Sequence, residues 1–254
     1  MLLPEAALTR LCSARRIVAL TGAGISAESG VPTFRDAQTG LWAKYRAEEL
    51  ATPEAFVSRP RLVWDWYAWR RELVSRAEPN PAHAALARFQ DIFPDFVLIT
   101  QNVDGLHARA GSRSVLELHG NIATTVCFDE GLPVSDYEDD GRTPPRCPRC
   151  GALLRPGVVW FGESLPRATL ERARQAAESC HVMLSVGTSS LVHPAAGLPL
   201  LAQERGALLV EINPSPTPLT PYVDFALCGP AGQLLPQLLQ QIEAVRVGTT
   251  ATRH

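Results

Sequence analysis

The residue types that could do chemistry are concentrated in short turns, each of which follows an apolar run of strand length. The first turn follows Ile17–Leu20 and reads Gly22-Ala23-Gly24, with the small residue Ala27 three positions later. This is the G-x-G-x-x-A form of the dinucleotide fingerprint. The first glycine permits a tight turn, the second lets backbone N–H groups approach a pyrophosphate, and the third small residue lets a helix pack close to the sheet. The turn predicts that the protein binds a dinucleotide.

A second turn carries amide and carboxylate side chains. Gln101, Asn102 and Asp104 directly follow the run Phe96–Thr100. The carboxyl ends of parallel strands share one edge of a sheet, which is where open α/β folds bind ligands. These side chains could therefore fix a ribose or a nicotinamide carboxamide, although an ordinary polar strand-to-helix turn has the same composition.

Three later positions extend this row of turns. His119, followed by a glycine, ends the next apolar run, where an imidazole suits a general base near neutral pH. The turn Gly187-Thr188-Ser189 follows Val182–Val186, and Asn213 follows Leu208–Ile212. Together the turns form a row of contacts as long as a dinucleotide.

A cysteine cluster predicts a metal site. Cys147 and Cys150 form a C-x-x-C turn of the kind that binds zinc, and Cys127 lies upstream at a spacing close to that of a zinc ribbon. Such a ribbon would carry its fourth cysteine at position 130, where the chain has Glu130. A carboxylate can bind zinc, so Glu130, Asp129 or a water molecule could complete the site, and a module without metal is the alternative. We predict a structural zinc, with Glu130 as the candidate fourth ligand.

The elements that must position these groups follow from the apolar runs. The runs are continuous rather than alternating, as in strands that are covered on both faces of a parallel sheet, and helical stretches separate them. They are Ile17–Thr21, Phe96–Thr100, Val115–Leu118, Val158–Phe161, Val182–Val186, Leu208–Ile212 and Phe225–Cys228. We predict an α/β fold, a doubly wound parallel Rossmann-like sheet with a smaller domain.

Two segments interrupt the alternation and predict the smaller domain. Residues 37–79 read as a helical insertion, and residues 121–156 read as a zinc-ribbon-like module. The Rossmann-like domain then comprises residues 1–36, 80–120 and 157–254.

Composition excludes several classes of function. The 254 residues are 46% hydrophobic and carry a formal net charge of −2, which gives no electrostatic footprint for nucleic acid or for an anionic membrane surface. We find no signal peptide and no apolar window of membrane-spanning length, and the clustered cysteines suit a reducing compartment. We expect a cytoplasmic monomer that binds neither nucleic acid nor membranes.

The order of the motifs resembles that of the sirtuins, the NAD-consuming protein deacylases. The resemblance extends from about Ala19 to Pro236 and includes the cysteine module. Its motifs are G-A-G-I-S-A-E-S-G-V-P-T-F-R, T-Q-N-V-D-G-L-H, E-L-H-G, V-V-W-F-G-E, V-G-T-S and E-I-N-P. The resemblance implies that NAD is a co-substrate and that acylated-lysine proteins or peptides are the partners. The expected products are free lysine, nicotinamide and O-acyl-ADP-ribose.

The resemblance also implies roles for individual residues. His119 would be the general base, with Asn102 as a second catalytic residue, and the backbone of Val158, Val159, Trp160 and Phe161 would pair as a strand with the substrate peptide. The residues expected around NAD are Gly22, Ala23, Gly24, Thr33, Phe34, Arg35, Gln101, Asn102, Asp104, Gly187, Thr188, Ser189, Asn213 and Ala231.

A finer resemblance concerns the acyl group. Tyr67 and Arg70 match the Y-x-x-R motif of desuccinylase-type (class III) sirtuins, in which the pair holds the distal carboxylate of a succinyl, malonyl or glutaryl group. Ala51 matches the small residue that widens this pocket. The pattern alone favours a core aromatic residue beside a solvated arginine. We expect a desuccinylase or demalonylase that also deacetylates.

Three other functions compete with this one. Protein ADP-ribosyl transfer would use the same cofactor cleavage with a different acceptor, and a weakly catalytic sensor of NAD or ADP-ribose would use the same binding site. A dehydrogenase is disfavoured, because the chain has no strand ending in an acidic residue about 20 positions after the glycine turn.

Overall fold

The computed structural model describes residues 2–33, 44–137 and 142–251 of the chain, with side chains described as far as residue 246. The strands of these residues are β1 Arg16–Thr21, β2 Asp95–Thr100, β3 Val115–Glu117, β4 Gly120–Cys127, β5 Leu154–Val158, β6 Val182–Val186, β7 Leu208–Asn213 and β8 Phe225–Cys228. Six of them form a parallel sheet in the order β3-β2-β1-β6-β7-β8. The chain builds one half of the sheet from β1 outward to β3 and later returns to place β6 on the other side of β1, from where it continues outward to β8. The predicted doubly wound fold is therefore confirmed.

Helices cover the sheet and build the insertion. They are α1 Glu5–Ser13, α2 Gly24–Ala27, α3 Ala47–Leu50, α4 Pro53–Ser58, α5 Pro60–Arg76, α6 Pro81–Ile92, α7 Leu106–Arg109, α8 Arg167–Ser179, α9 Leu198–Glu204 and α10 Ala231–Ala251. Proline opens α4, α5 and α6, where its missing N–H is not needed for an intrahelical bond. Asn80 and His83 close a capping box at the start of α6.

Burial on both faces explains why the strands of the large sheet are apolar without alternation. Ile17 and Ala19 of β1 pack in a cluster with α1, α6 and α10, whereas Val18 and Leu20 pack in a second cluster with α8 and α9. Successive side chains of a strand point to opposite faces, so each face needs its own apolar residues.

The smaller domain combines the helices α3, α4 and α5 with an antiparallel sheet of β4 and β5. Leu50, Phe56, Val63 and Trp66 form its core together with Ile122 of β4. The predicted helical insertion is confirmed over its described residues, which begin at residue 44. The small sheet begins at Gly120 and ends at Val158, slightly beyond the module limits 121 and 156, and the domain limits stay a prediction.

One strand prediction was wrong. Val158–Phe161 is not a strand of the parallel sheet, because β5 ends at Val158 and pairs with β4. The run is apolar for another reason: Val158 and Trp160 are buried in the core of the smaller domain, while Phe161 is 45% exposed.

None of the helices in the described part of the chain combines the length and the apolar character that a membrane crossing requires.

Close contact between two glycine turns fixes the centre of the sheet. Gly22 N–H donates to Val186 O at 3.0 Å, and Gly24 N–H donates to Gly187 O at 2.8 Å. A Cβ atom at Gly22 or Gly24 would lie 2.8 or 2.7 Å from Gly187 O, and one at Gly187 would lie 2.4 Å from Ile25 N. The turns after β1 and β6 therefore touch backbone to backbone, which only glycine allows.

We predict that Gly187→Ala destabilises the fold by about 3 kcal/mol, from the clash and from the positive φ of 59°. For a chain of this size we expect Tm to fall by roughly 6–12 °C in thermal unfolding. Gly206→Ala is the control, because its φ of 86° imposes the same backbone strain while a Cβ there would meet nothing within 4 Å. Equal losses in the two variants would mean that the turn contact contributes nothing.

Candidate functional site

The turns after β1, β2 and β6 meet at one edge of the large sheet, as the sequence predicted. Gln101 N–H donates to Thr21 O at 3.0 Å. Its side-chain Nε2 donates to Thr188 Oγ1 at 2.9 Å, which links the turn after β2 to the turn after β6. The glycine turn Gly22–Gly24 lies between them, so three of the predicted cofactor-binding segments lie together at the switch point of the sheet. Open α/β folds bind their ligands in a crevice at this point.

A buried polar network holds the amide of Asn102. Asn102 Nδ2 donates to Ser26 Oγ at 3.0 Å, and Ser26 Oγ donates to Asp104 Oδ2 at 2.7 Å. His83 Nδ1 accepts from Asn80 N–H at 3.3 Å, so its Nε2 carries the proton that faces Ser26 Oγ at 3.4 Å. Burial lowers the pKa of His83, which keeps it neutral. In this series of hydrogen bonds, each donor faces an acceptor on its neighbour.

A second network supports the turn from below. Thr21 Oγ1 donates to Thr100 Oγ1 at 2.8 Å, and Thr100 Oγ1 accepts the N–H of Asn102 at 3.0 Å. His107 Nε2 faces Thr21 Oγ1 at 2.9 Å. Burial and the neighbouring His83 lower the pKa of His107 to about 3, so it stays neutral at any physiological pH. Its contact with Thr21 adds to the hydrogen bonds that support the turn.

The sequence did not reveal these supporting residues. Ser26 stands inside the glycine motif, but nothing in its spacing indicated a contact with Asp104, and His83 and His107 had no assigned role. A hydrogen-bond partner about 80 positions away along the chain leaves no local pattern, as with Ser26 and Asp104, which are 78 positions apart.

His119 has the geometry of a base. Its Nδ1 lies 2.8 Å from Gln101 O, and a carbonyl oxygen only accepts, so Nδ1 carries the proton and Nε2 presents a lone pair. The ring is half-buried. Burial lowers the pKa of His119 below its ordinary value of 6.5, against the opposing effect of the bond to Gln101. The imidazole is therefore neutral and able to accept a proton at neutral pH.

Two of the predicted acyl-binding residues, Ala51 and Tyr67, share one apolar cluster with Val158 and Trp160 of the predicted peptide-binding segment. Ala51, Tyr67, Val158 and Trp160 belong to the core of the smaller domain, and Trp160 Nε1 donates to the Tyr67 hydroxyl oxygen at 3.0 Å. Tyr67 and Arg70 both lie on α5, as their spacing predicted. The Arg70 guanidinium lies 5.2 Å from the ring centroid of Trp66, and burial lowers its pKa.

The backbone of Val158–Phe161 runs along the edge of this cluster. Val159 N–H donates to His119 O and Phe161 N–H donates to Ala51 O, both at 2.9 Å. Trp160 N–H donates to Glu163 Oε2 at 2.7 Å. These N–H groups are already used, so a peptide can pair with residues 159–161 only through their carbonyl groups. Pairing with a substrate peptide stays a prediction.

The other predicted contacts lie at the ends of β7 and α10. Asn213 Nδ2 donates to Ser215 O at 2.7 Å, Ala231 is buried at the first residue of α10, and Ser189 is half-buried beside Thr188. Thr33 is half-buried and precedes a gap in the description. Phe34 and Arg35 lie outside the described residues. The roles of all these residues towards NAD stay predictions.

Cys127, Glu130, Cys147 and Cys150 form a group that could hold a metal ion, with one ligand atom from each within 4.8 Å of the others. A tetrahedral zinc with Zn–S bonds near 2.3 Å needs sulfur atoms about 3.8 Å apart. The Cys127 and Cys150 sulfurs lie 3.4 Å apart, so shifts of a few tenths of an ångström would fit this pair to the ion. The three sulfurs are the ligands that zinc prefers, and the donor set fits it. Arg149 Nε donates to Glu130 Oε2 at 2.8 Å, which leaves Glu130 Oε1 to face an ion.

We expect the purified protein to contain about one zinc ion per chain. Glu130→Ala should weaken zinc binding roughly tenfold or more, by analogy with the loss of groups around other zinc sites, and Glu130→Cys should strengthen it. Competition with a chromogenic chelator measures the affinity. Asp129→Ala is the matched control and should bind zinc as the wild type does. The reverse result would identify Asp129 as the ligand, and equal affinity in all variants would leave a water molecule in the fourth position.

Comparison with known proteins places this architecture in a family. Residues 22–194 match the model described as "Sir2 family". An NAD-dependent protein deacylase of Methylococcus capsulatus is 52% identical, with 94% of this chain and 97% of the relative covered. A solved complex of a Sir2 homologue with NAD has 48% identity and a TM-score of 0.89, covering 96% of this chain and 95% of the other. A Sir2 complex with a p53 peptide and NAD⁺ has 31% identity and a TM-score of 0.83, covering 93% and 97%.

Proposed function

The chain belongs to the Sir2 family, and from this premise we propose that it is an NAD-dependent protein-lysine deacylase. The observation that carries the proposal is the position of His119. Its Nδ1 is bound to the backbone of Gln101, in the turn that also contacts the end of β6, so the base lies beside the crevice at the switch point. The proposed products are free lysine, nicotinamide and O-acyl-ADP-ribose.

The residues around the crevice fit the two halves of NAD. We assign the nicotinamide and its ribose to the turn that contains Gln101, Asn102 and Asp104, and the adenosine half to Gly187–Ser189, Asn213 and Ala231. The buried network through Ser26 fixes the Asn102 amide before the ligand arrives, which lowers the entropic cost of positioning it. Bound NAD supplies a glycosidic bond that is ready to break at the nicotinamide.

His119 is the proposed general base. Its Nε2 would accept the proton of a ribose hydroxyl, while Nδ1–H stays on Gln101 O and fixes the tautomer and the ring. No nucleophilic side chain is needed, because the acyl oxygen of the substrate itself bonds to the sugar. The protein's task is then to hold two substrates in line and to keep water out until nicotinamide has left. One water molecule is consumed afterwards, when the bond between the acyl carbon and the lysine nitrogen breaks and free lysine is released.

The test of the function is product analysis. With NAD and an acyl-lysine peptide we expect free lysine, nicotinamide and O-acyl-ADP-ribose in equal amounts by mass spectrometry. His119→Ala should bind NAD as the wild type does but lose at least about 100-fold in kcat, the usual contribution of a general base. ADP-ribose found on protein instead of on the acyl group would support the transferase alternative. NAD binding without turnover in the wild type would support the sensor.

The pH profile gives a companion measurement on His119. The base must be neutral, so kcat/KM falls as pH falls through the pKa of His119. Burial lowers that pKa, so the acid limb should have its midpoint below pH 6.5. A midpoint above 6.5 would contradict the environment assigned to the ring.

We propose further that Tyr67 and Arg70 select acyl groups with a distal carboxylate, as in the desuccinylase-type branch. Both side chains come from α5 and border the same apolar cluster as Ala51, whose small side chain leaves room for a longer acyl group. Burial of the guanidinium strengthens its attraction for a carboxylate and penalises a neutral acyl group, which would leave the charge without its ligand.

We expect succinyl- and malonyl-peptides to be better substrates than acetyl-peptides. Arg70→Met should lower the succinyl-to-acetyl ratio of kcat/KM by about 10- to 100-fold, the value of one to two charged hydrogen bonds. Arg71→Met is the control on the same helix, because Arg71 Nε donates to Ile122 O at 2.6 Å and serves the small sheet. An unchanged ratio in Arg70→Met would remove Arg70 from acyl recognition.

The remaining proposals concern the state of the protein. We propose that zinc stabilises the smaller domain and takes no part in the reaction, since its ligands lie on the module of β4 and β5. We also propose a cytoplasmic monomer that acts on acylated proteins and not on nucleic acid. The small net charge of −2 argues against a nucleic-acid partner, and the absence of disulfides among the six cysteines suits a reducing compartment.

A further inference from the structure

The Tyr67 hydroxyl is one end of a buried hydrogen bond. Trp160 Nε1–H donates to the Tyr67 oxygen at 3.0 Å, and the two side chains are only 2% and 4% exposed. An indole N–H can only donate, so the phenol oxygen must act as the acceptor in this bond. The phenol's own proton is therefore directed away from Trp160.

Trp160 is itself held at two other points. The Arg155 guanidinium carbon lies 3.3 Å from the centroid of its ring system, and Glu163 Oε2 accepts its backbone N–H at 2.7 Å. Arg155 and Glu163 are joined by bonds of 2.5 and 2.9 Å, and Arg155 also donates to Val158 O at 2.7 Å. This ion pair fixes both the face of the indole and the turn that carries it.

The fixed indole orients the Tyr67 hydroxyl, which accepts the indole N–H. Burial raises the pKa of the Tyr67 phenol, with the Arg70 charge and the Trp160 bond acting in the opposite direction, so the hydroxyl keeps its proton. Donor chains of this kind are cooperative: accepting one hydrogen bond makes the phenol a stronger donor for the next. Trp66, edge-on at 4.5 Å between ring centroids, restricts the ring from another side.

We propose that Trp160 is a positioning residue for acyl specificity, which aims the Tyr67 O–H at the distal carboxylate of the acyl group through its indole N–H. The inference rests on the proposed recognition of acidic acyl groups by Tyr67 and Arg70. It separates two functions of one segment: the backbone of Val158–Phe161 borders the peptide site, while the side chain of Trp160 points inward to the acyl pocket.

Trp160→Phe is the test variant. Phenylalanine keeps a six-membered aromatic ring for Arg155 and lacks only the pyrrole ring of the indole with its N–H. We expect the succinyl-to-acetyl ratio of kcat/KM to fall about tenfold, as for loss of one hydrogen bond in a charged network. Tyr67→Phe should produce a similar fall. The double variant should fall no further than Tyr67→Phe alone, because Trp160 acts through the Tyr67 hydroxyl. A general packing defect would reduce both substrates alike and leave the ratio unchanged.

Trp64→Phe is the matched control. It makes the same chemical change on α5, but Trp64 packs with the cysteine module and under the Arg71 guanidinium. Its succinyl-to-acetyl ratio should equal that of the wild type.

A spectroscopic measurement covers the case in which Trp160→Phe folds poorly. Protein labelled with ¹⁵N-tryptophan gives five indole N–H signals, one for each tryptophan. The Trp160 signal should move in Tyr67→Phe, and in the wild type a succinyl-peptide should shift it more than an acetyl-peptide does.

The outcomes distinguish this inference from the proposed function. If Arg70→Met lowers the ratio while Trp160→Phe does not, acidic acyl recognition stands and the role of Trp160 is overturned. If Arg70→Met also leaves the ratio unchanged, the proposed recognition of the carboxylate by Tyr67 and Arg70 is wrong, and the role inferred for Trp160 is wrong with it. Equal shifts of the indole signal with both peptides would likewise overturn the positioning role.

Discussion

The contact between the glycine turns after β1 and β6 is the constraint on which the rest of the structure depends. Gly24 donates its N–H to Gly187 O, and neither turn has room for a Cβ atom. This contact holds the turns after β1 and β6 backbone against backbone at the switch point of the sheet. It also gives Gly24 a function that the dinucleotide fingerprint does not state: its own N–H is used inside the protein, and its small size is needed for the opposing turn as well as for a ligand.

Hydrogen bonds from the neighbouring turns fix the polar side chains of the site. Gln101 links the turn after β2 to the turn after β6 through Thr188, and its carbonyl oxygen holds the tautomer of His119. The buried pair Ser26 and Asp104 fixes the Asn102 amide. A neutral imidazole and a hydrogen-bonded amide therefore lie at the same edge of the sheet. Such pre-ordering is what a reaction of two bound substrates requires from its enzyme.

Much of this arrangement follows from the sequence. Continuous apolar runs predicted the parallel sheet, and the turns at their carboxyl ends predicted which side chains would meet. The prediction of a strand of the parallel sheet for Val158–Phe161 was wrong, because Val158 and Trp160 are apolar for another reason: they fill the core of the smaller domain. The hydrogen-bond partners of Asn102 and Tyr67 could not be predicted from the sequence, for a different reason. Contacts such as Trp160 with Tyr67, 93 positions apart, depend on how elements distant in the sequence pack together and leave no periodic signal.

The central claim is that NAD binds in the glycine-walled crevice with its nicotinamide ribose beside His119. A crystal structure of the protein with NAD and an acyl-lysine peptide tests it most directly. The account predicts a ribose hydroxyl within hydrogen-bond distance of His119 Nε2, about 3 Å, with the peptide's acyl group on the same side of the sugar. A dinucleotide bound elsewhere, or a His119 ring that faces solvent away from the ribose, would contradict it.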